Sequence, residues 1–217
     1  MKKIKTVYKI DRETNLATQE VNKGVQWVLE GKGIATLKVD GSASMIQDGE
    51  LYKRYDKKLK PQFIKQVRAN PDTVVTPDMF NELPGDAIPC QSSPDPVTYH
   101  HPHWVKIDKN KPDDKFHVEA LAKLKDLPDG TYELIGAKVN GNPYNLQEHV
   151  LVKHGAEVLN VENRSFEGLK NFLEGLQGEG IVFYNQETGE MAKARRKDFG
   201  LFWNKEDTRD NRPKKKM

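Results

Sequence analysis

The sequence predicts an α+β fold in which antiparallel β-sheets are flanked by helices, and three observations favour it. Two segments of β-like composition are joined by Asp48-Gly49, a pair typical of a type I′ hairpin. Apolar residues at 166–176 recur at helical spacing behind Ser165, which suits a helix N-cap. With 217 residues, the chain is long enough to bury one core of ordinary size.

The first half of the chain predicts an antiparallel meander. Its strands are expected over 34–39, 42–47 and 50–55, so that Lys38 and Arg54 belong to the same sheet. The apolar residues 25–29 predict a short strand that precedes the meander.

The second half of the chain also predicts strands that are joined by turns rich in glycine and asparagine. A strand over 131–135 is expected to hold Glu133, and further strands are expected over 149–153, 180–184 and 190–195. We expect one domain over residues 1–203 and a charged tail over 204–217.

A proline-rich excursion at about 60–111 interrupts the predicted domain. Periodic apolar positions are sparse there, and the segment ends in the apolar Trp104-Val105-Lys106-Ile107. An excursion of this length is often a lid or a binding surface. The alternative is an insertion that wraps the domain without a function of its own.

Composition excludes several classes of protein. A single cysteine, Cys90, rules out an intrachain disulfide, and no segment approaches the ~20 apolar residues that a membrane helix needs. No signal-peptide core follows the basic start of the chain, so we expect a cytoplasmic protein without a membrane partner. The net charge of +3 does not by itself predict a nucleic-acid partner.

Lys38 lies in Lys-x-Asp-Gly, at the end of a predicted strand. Alone, this pattern describes either an exposed lysine before a turn or a nucleophile presented in a cleft. Further chemistry-bearing residues follow in order along the chain. They are Arg54 in Leu-Tyr-Lys-Arg-Tyr-Asp, Glu133 in Tyr-Glu-Leu-Ile-Gly, Glu179 in Glu-Gly-Ile-Val, and the basic string 193–197 before Asp198-Phe199-Gly200.

In order and spacing, this set resembles the nucleotidyltransferase motifs of ATP-dependent polynucleotide ligases and mRNA capping enzymes. The sequences of its last two motifs, at Glu179 and at 193–200, are most similar to those of RNA ligases. Stretches outside the set also resemble small RNA ligases related to the vertebrate 5′-to-3′ RNA ligase, namely 88–91, 95–98 and 129–134.

The resemblance implies a role for each residue of the set. Lys38 would form a covalent lysine-adenylate with ATP, Arg54 and Glu133 would hold the ribose side of the nucleotide, and Lys193 with Arg195 would contact the phosphates. Glu179, with Asp40 as a second candidate, would position Mg²⁺ or Mn²⁺. Many ligases have Lys-x-Lys where this chain has Lys193-Ala194-Arg195, and a guanidinium is not an interchangeable point charge.

The chemistry of the residues agrees with these roles. A lysine amine that attacks phosphorus must be unprotonated, which from an ordinary pKa of about 10.4 costs about 4 kcal/mol at neutral pH. Neighbouring cations such as Lys193 and Arg195 would ease this by like-charge repulsion and would also neutralise the triphosphate.

DNA ligases and capping enzymes append an oligonucleotide-fold domain after the last motif, and because few residues follow Gly200 we expect none here. The prediction is therefore a minimal ATP-dependent ligase that joins RNA 5′-phosphate and 3′-hydroxyl ends on one domain. A capping-type guanylyltransferase, a DNA nick ligase and a non-catalytic nucleotide- or RNA-binding module remain as alternatives.

Several aromatic residues and histidines have no settled role in the sequence. The residue that packs on the base could be His149, His154, Tyr144 or Phe166, and Trp203 is expected to pack in the core. The histidines at 100, 101 and 103 lack a carboxylate or cysteine at useful spacing, so a surface loop is favoured over a zinc site.

Overall fold

The computed structural model describes residues 3–70, 72–126 and 128–203. The predicted tail, 204–217, lies outside these residues. Two compact units are distinguished within the chain. One, which we call the Arg54 unit, contains Ala43–Thr131; the other, the Lys38 unit, contains Lys3–Ser42 and the chain from Tyr132 onward.

Strands and short helices alternate along the chain. The strands are β1 Lys5–Thr6, β2 Tyr8–Ile10, β3 Ala17–Val21, β4 Ile34–Lys38, β5 Ser42–Gln47, β6 Glu50–Lys57, β7 Ile88–Pro89, β8 His101–Lys106, β9 Gly130–Ile135, β10 Val150–Lys153, β11 Val158–Leu159, β12 Gly180–Tyr184 and β13 Met191–Arg195. The α-helices are α1 Pro61–Ala69, α2 Lys115–Leu121 and α3 Phe166–Gly175. The α+β class predicted from the sequence is confirmed.

The Lys38 unit is built on a five-stranded sheet in the order β1-β13-β12-β4-β11. All neighbours are antiparallel except β1 and β13, which run parallel. Side chains alternate between the two faces of a strand, and one face here is apolar. Ile181 and Phe183 of β12 are fully buried on it, together with Leu169 and Leu173 of α3.

Helix α3 begins where the sequence predicts. The Ser165 hydroxyl accepts a hydrogen bond from the Gly168 N–H at 3.1 Å, which satisfies one of the unpaired donors of the first turn. The helix therefore starts in a fixed position under one face of the sheet.

The Arg54 unit contains the predicted hairpin between β5 and β6. Asp48 and Gly49 both have positive φ angles, 52° and 75°, as a type I′ turn requires. Strand β8 pairs antiparallel with β6 on its other side, and β7 pairs with β8. The proline-rich excursion thus contributes two strands and helix α1 to this unit.

The predicted meander through Lys38 and Arg54 is wrong. Strand β4 pairs with β11 and β12, whereas β6 pairs with β5 and β8, so the two residues belong to different sheets. Both edges of β4 pair with strands that are far away in sequence. Its pairing with β12 accompanies the burial of Ile181 and Phe183 in the core. Local turn signals carry no information about such pairing.

The predicted strand over 25–29 is also wrong. Residues Gln26–Val28 form one turn of 3₁₀ helix, and Gly24 and Gly31 have φ angles of 84° and 78° on either side. These left-handed glycines bend the chain at both ends, so the apolar residues enter the core from a turn.

The surface-loop interpretation of the histidine cluster is wrong for two of its members. His101 and His103 lie on β8, and His103 is only 4% exposed. His101 Nε2 contacts the Gln91 carbonyl oxygen at 2.8 Å, and burial lowers the pKa of His103.

No helix in the described ranges is both long enough and apolar enough to span a membrane.

A buried ion pair stabilises the Arg54 unit. Asp114 is 1% exposed, and its carboxylate accepts hydrogen bonds from Lys53 and from the Asp108 N–H. Burial alone would raise the pKa of Asp114, but these hydrogen bonds outweigh it and the pKa lies below its ordinary value. We expect Asp114→Asn to lower the free energy of unfolding by about 2 kcal/mol at neutral pH, since charged hydrogen bonds are replaced by weaker ones.

The sign of the pH dependence follows from the lowered pKa. The unfolded chain binds the Asp114 proton more readily, so this stability is full above an unfolded pKa of about 3.9 and is lost as the pH falls through the folded pKa. Urea unfolding should therefore show the gap between wild type and Asp114→Asn shrinking below about pH 4. The exposed neighbour variant Asp113→Asn is the control. A gap that widens in acid would contradict this account.

Candidate nucleotide-binding site

Three cations share one face of the five-stranded sheet. Lys38 ends β4 opposite Gly180 of β12, which is opposite Arg195 of β13. Residues directly opposite one another in antiparallel strands project from the same face, and Lys193 joins them because it lies two residues before Arg195. This is the face that does not pack on α3, so the sheet separates the charged side chains from the core.

Gly180 occupies the middle of this row for a steric reason. A Cβ at this position would lie 2.2 Å from the Ala194 carbonyl oxygen. No larger residue fits without moving β13, so glycine keeps the strands that carry Lys38 and Arg195 in register.

Glu179 directly precedes β12 and pairs with Lys38. Its Oε2 accepts a hydrogen bond from Lys38 Nζ, and the two side chains are 14% and 22% exposed. The lysine amine is therefore held at the end of its strand beside a carboxylate and is screened from most of the solvent.

Lys193 is a partly buried ammonium that forms no ion pair with the described carboxylates. Burial lowers the pKa of Lys193 to about 8, and the positive charges of Arg195 and Lys38 act in the same direction. Glu179 and Asp198 oppose this shift. A partly buried ammonium beside two other cations is costly to the folded protein, and an anion such as a phosphate would reduce that cost.

Arg195 is held by Asp198. Its Nε and Nη2 donate to the two carboxylate oxygens at 3.0 and 2.6 Å, and Asp198 is buried. Arg196 has a different task, since its Nη1 donates to the carbonyl oxygens of Leu173 and Leu176 at the end of α3. Within the basic string, Lys193 and Arg195 thus lie on the charged face, whereas Arg196 caps a helix.

Glu133 lies near the loop that follows Lys38. A Cβ at Gly41 would lie 2.2 Å from the Leu134 carbonyl oxygen and 2.8 Å from Glu133 Cγ. The glycine of Lys-x-Asp-Gly therefore permits close approach of β9. Glu133 is 8% exposed, and its Oε2 lies 2.8 Å from His154 Nε2.

Tyr144 and Asn140 hold the Asp40-Gly41 loop, a role that the sequence did not predict for either residue. The Tyr144 hydroxyl oxygen accepts from the Asp40 N–H at 2.8 Å. Asn140 Nδ2 donates to Asp40 Oδ1 at 2.8 Å and to the Gly41 carbonyl oxygen at 2.9 Å. The only signal was the turn Asn140-Gly141-Asn142-Pro143, which predicted a bend and no partner.

Asn140 gives a direct test of this clamp. Asn140→Gly keeps the left-handed backbone, φ 45°, and removes both hydrogen bonds. We expect a loss of about 2 kcal/mol in the free energy of unfolding, at about 1 kcal/mol per bond. If Lys38 reacts with ATP, misplacement of its loop should also slow labelling by about tenfold.

The matched control is Asn145→Gly. Asn145 is exposed and has a similar φ angle, 52°, but its side chain does not contact the loop. Thermal unfolding and labelling by α-labelled ATP measure both effects. Equal behaviour of the two variants would show that the clamp does not position the loop.

Arg54 belongs to the other unit. It lies on β6, and its Nε and Nη2 are each 3.0 Å from Asp56 Oδ1. The structure therefore brings Lys38, Glu133, Glu179, Lys193 and Arg195 into one unit, and the ribose role of Arg54 stays a prediction.

The four candidates for packing on a base have different surroundings. Phe166 packs edge-on against Tyr8, 5.1 Å between ring centroids, within the core of the Lys38 unit. His149 is buried, and its Nε2 accepts from the Lys138 N–H. His154 contacts Glu133, and Tyr144 stands 5.6 Å from Trp203. Trp203 is partly buried beside Tyr144, and its expected core role stays a prediction.

The carboxylates near Tyr144 suit a hard divalent cation. Burial raises the pKa of Tyr144 to about 12, and the charges of Asp40, Glu179 and Glu133 act in the same direction. No three His, Cys, Asp or Glu side chains of the described residues converge on a metal position. Mg²⁺ is commonly held by one or two carboxylates with water and substrate phosphates, and Asp40 with Glu179 fits that arrangement.

Comparison with known proteins identifies relatives over much of the chain. A model of the RNA ligase 1 family matches residues 90–215. RNA ligase 1 of Rattus norvegicus is 30% identical over an alignment that covers 81% of this chain and 70% of the relative. RNA ligase 1 of Pongo abelii is 31% identical over 67% of this chain, and the match spans about half of that protein, 48%. RNA ligase 1 of Danio rerio is 37% identical over 46% of this chain and 34% of its own.

The family match covers β12 and β13 with Glu179, Lys193 and Arg195, and the rat relative extends the similarity over most of the chain. The chain belongs to the RNA ligase 1 family.

Proposed function

We propose that this protein is an ATP-dependent RNA ligase that works through a covalent lysine-AMP intermediate. Family membership supports the RNA ligase activity. The observation that carries the lysine-AMP step is the position of Lys38, a screened amine on one sheet face with the buried cation Lys193 and beside Glu179.

The first step forms a bond between Lys38 Nζ and the α-phosphorus of ATP and breaks the bond to the β-phosphate oxygen, so pyrophosphate leaves. The amine must lose a proton before it attacks. Glu179 accepts a hydrogen bond from Nζ and therefore orients the amine. Lys193 and Arg195 compensate the charge of the phosphates.

The second and third steps use the same face. The AMP group passes from Lys38 to an RNA 5′-phosphate, which restores the amine. A 3′-hydroxyl then attacks the activated 5′-phosphate, and AMP leaves as the phosphodiester bond forms. Glu179 and Asp40 would hold Mg²⁺ or Mn²⁺, which would supply charge neutralisation at the phosphates.

Nucleotide and substrate preference test the proposal. The purified protein is incubated with α-labelled ATP or GTP and a magnesium salt, and retained label is measured after denaturation. It is then offered matched RNA and DNA strands with 5′-phosphate and 3′-hydroxyl ends. We expect label from ATP and sealing of RNA. Label from GTP alone would indicate a capping-type enzyme, and binding without any covalent label would indicate a non-catalytic module.

A further inference from the structure

A segment of the Arg54 unit carries cations and no acids. Residues 57–68 span the end of β6 and most of helix α1, and they contain no aspartate or glutamate. The cations of this segment, which we call the α1 cationic surface, are Lys57, Lys58, Lys60, Lys65 and Arg68.

Some exposed lysines elsewhere in the described residues are neutralised by ion pairs. Lys9, Lys32 and Lys106 each pair with a glutamate. Within the parts of the chain that the structure describes, no member of the α1 cationic surface forms an ion pair with a carboxylate. Its positive charge is therefore not neutralised by a direct ion pair within the described residues.

The helix is held so that its charged side chains stay outside. Val67 is buried against Leu59 and Phe80, with Ile64 packed beside them. Lys65 and Arg68, three residues apart, are exposed on the outer side of the helix.

Two other lysines are held by contacts that are not ion pairs. Lys57 Nζ lies 5.4 Å from the centre of the Phe80 ring, and Lys60 Nζ donates to the Asp78 carbonyl oxygen at 2.9 Å. Such contacts already restrict these two side chains, so an anion that binds them loses less affinity to side-chain ordering.

The packing also discriminates between polyanions. A membrane-surface helix inserts its apolar face into the lipid. The apolar face of α1 is already packed on Leu59 and Phe80, so only its polar side is available. Exposed glutamines at 62 and 66 lie between the cations and can donate hydrogen bonds to phosphate and sugar oxygens.

We propose that the α1 cationic surface binds the phosphate backbone of the RNA substrate without reading its sequence. The inference rests on the proposed function. It adds the location at which the protein holds the RNA strand. Binding of this kind releases counterions, so affinity should fall steeply with salt, with a slope of about 0.7 per phosphate contact for a single strand.

The test uses the full chain and a 5′-phosphorylated, fluorescently labelled single-stranded RNA. The triple variant Lys58→Gln, Lys65→Gln, Arg68→Gln removes three exposed charges and keeps good helix formers in α1. The control triple variant Lys9→Gln, Lys32→Gln, Lys106→Gln makes the same change in net charge at ion-paired positions.

We expect the surface variant to bind RNA at least about tenfold more weakly at low salt, with a salt slope reduced by about 2. Labelling by ATP in the absence of RNA should be unchanged, and the control should bind RNA like wild type. Equal RNA affinity and slope in the surface variant and wild type would overturn the inference. Equal losses of RNA affinity in both variants would also overturn it. So would a surface variant that binds anionic vesicles more weakly than wild type but binds RNA equally well. Absence of ATP labelling in wild type would instead contradict the proposed function.

Discussion

Replacement of Lys38 by arginine is expected to abolish covalent labelling by ATP, with a loss of more than about 10³-fold. Arginine keeps the positive charge that pairs with Glu179, but its guanidinium does not lose a proton under ordinary conditions and cannot act as the nucleophile. The measurement is the label retained after denaturation, together with RNA sealing from unadenylylated ends.

Lys32→Arg is the matched control, because Lys32 also pairs with a glutamate but lies on an exposed surface. It should label like wild type. Thermal unfolding of both variants separates lost chemistry from lost folding. Labelling of Lys38→Arg at the wild-type rate would remove Lys38 from the reaction.

Lys193→Met is expected to slow labelling by about 10²-fold or more while raising the stability of the free protein. In the proposed function, the partly buried ammonium compensates the phosphates of the bound nucleotide, whereas without nucleotide it is a cost to the fold. Methionine has a similar length and no charge, so the free energy of unfolding should increase at neutral pH.

The pH dependence of this gain follows from the lowered pKa of Lys193, about 8. Between that value and the ordinary lysine pKa of about 10.4, the folded protein binds fewer protons than the unfolded chain, so wild-type stability rises with pH. The advantage of Lys193→Met is therefore largest below about pH 8 and shrinks as the pH is raised further.

Denaturant unfolding at two pH values measures the effect, with exposed Lys153→Met as control. ATP should stabilise wild type more than Lys193→Met. A variant that is less stable than wild type and labels at the same rate would assign Lys193 a purely structural role.

Local chemistry explains the elements that the sequence predicts well. The Asp48-Gly49 turn, the Ser165 cap and the strand with Ile181 and Phe183 each depend on a few neighbouring residues, and all three are confirmed. The partners of β4 depend instead on residues more than a hundred positions away, and the meander prediction failed for that reason.

The candidate site shows the same division. The resemblance selects Lys38, Glu179 and Lys193, and the strand register brings them together. The clamp formed by Asn140 and Tyr144 could not be predicted, because a turn signal does not say which loop an amide or a hydroxyl will meet. The roles of Lys38, Glu179, Lys193 and Arg54 toward ATP are still predictions.

The most direct test of the central claim is to locate the nucleotide on the protein. Wild-type protein is incubated with ATP and a magnesium salt without RNA, digested, and mapped by mass spectrometry under conditions that preserve the phosphoramide bond. The account predicts one AMP group, on the peptide that contains Lys38. It also predicts that this AMP group is released when pyrophosphate is added to the labelled protein. AMP on any other residue, or no adduct while RNA is still sealed, would contradict it.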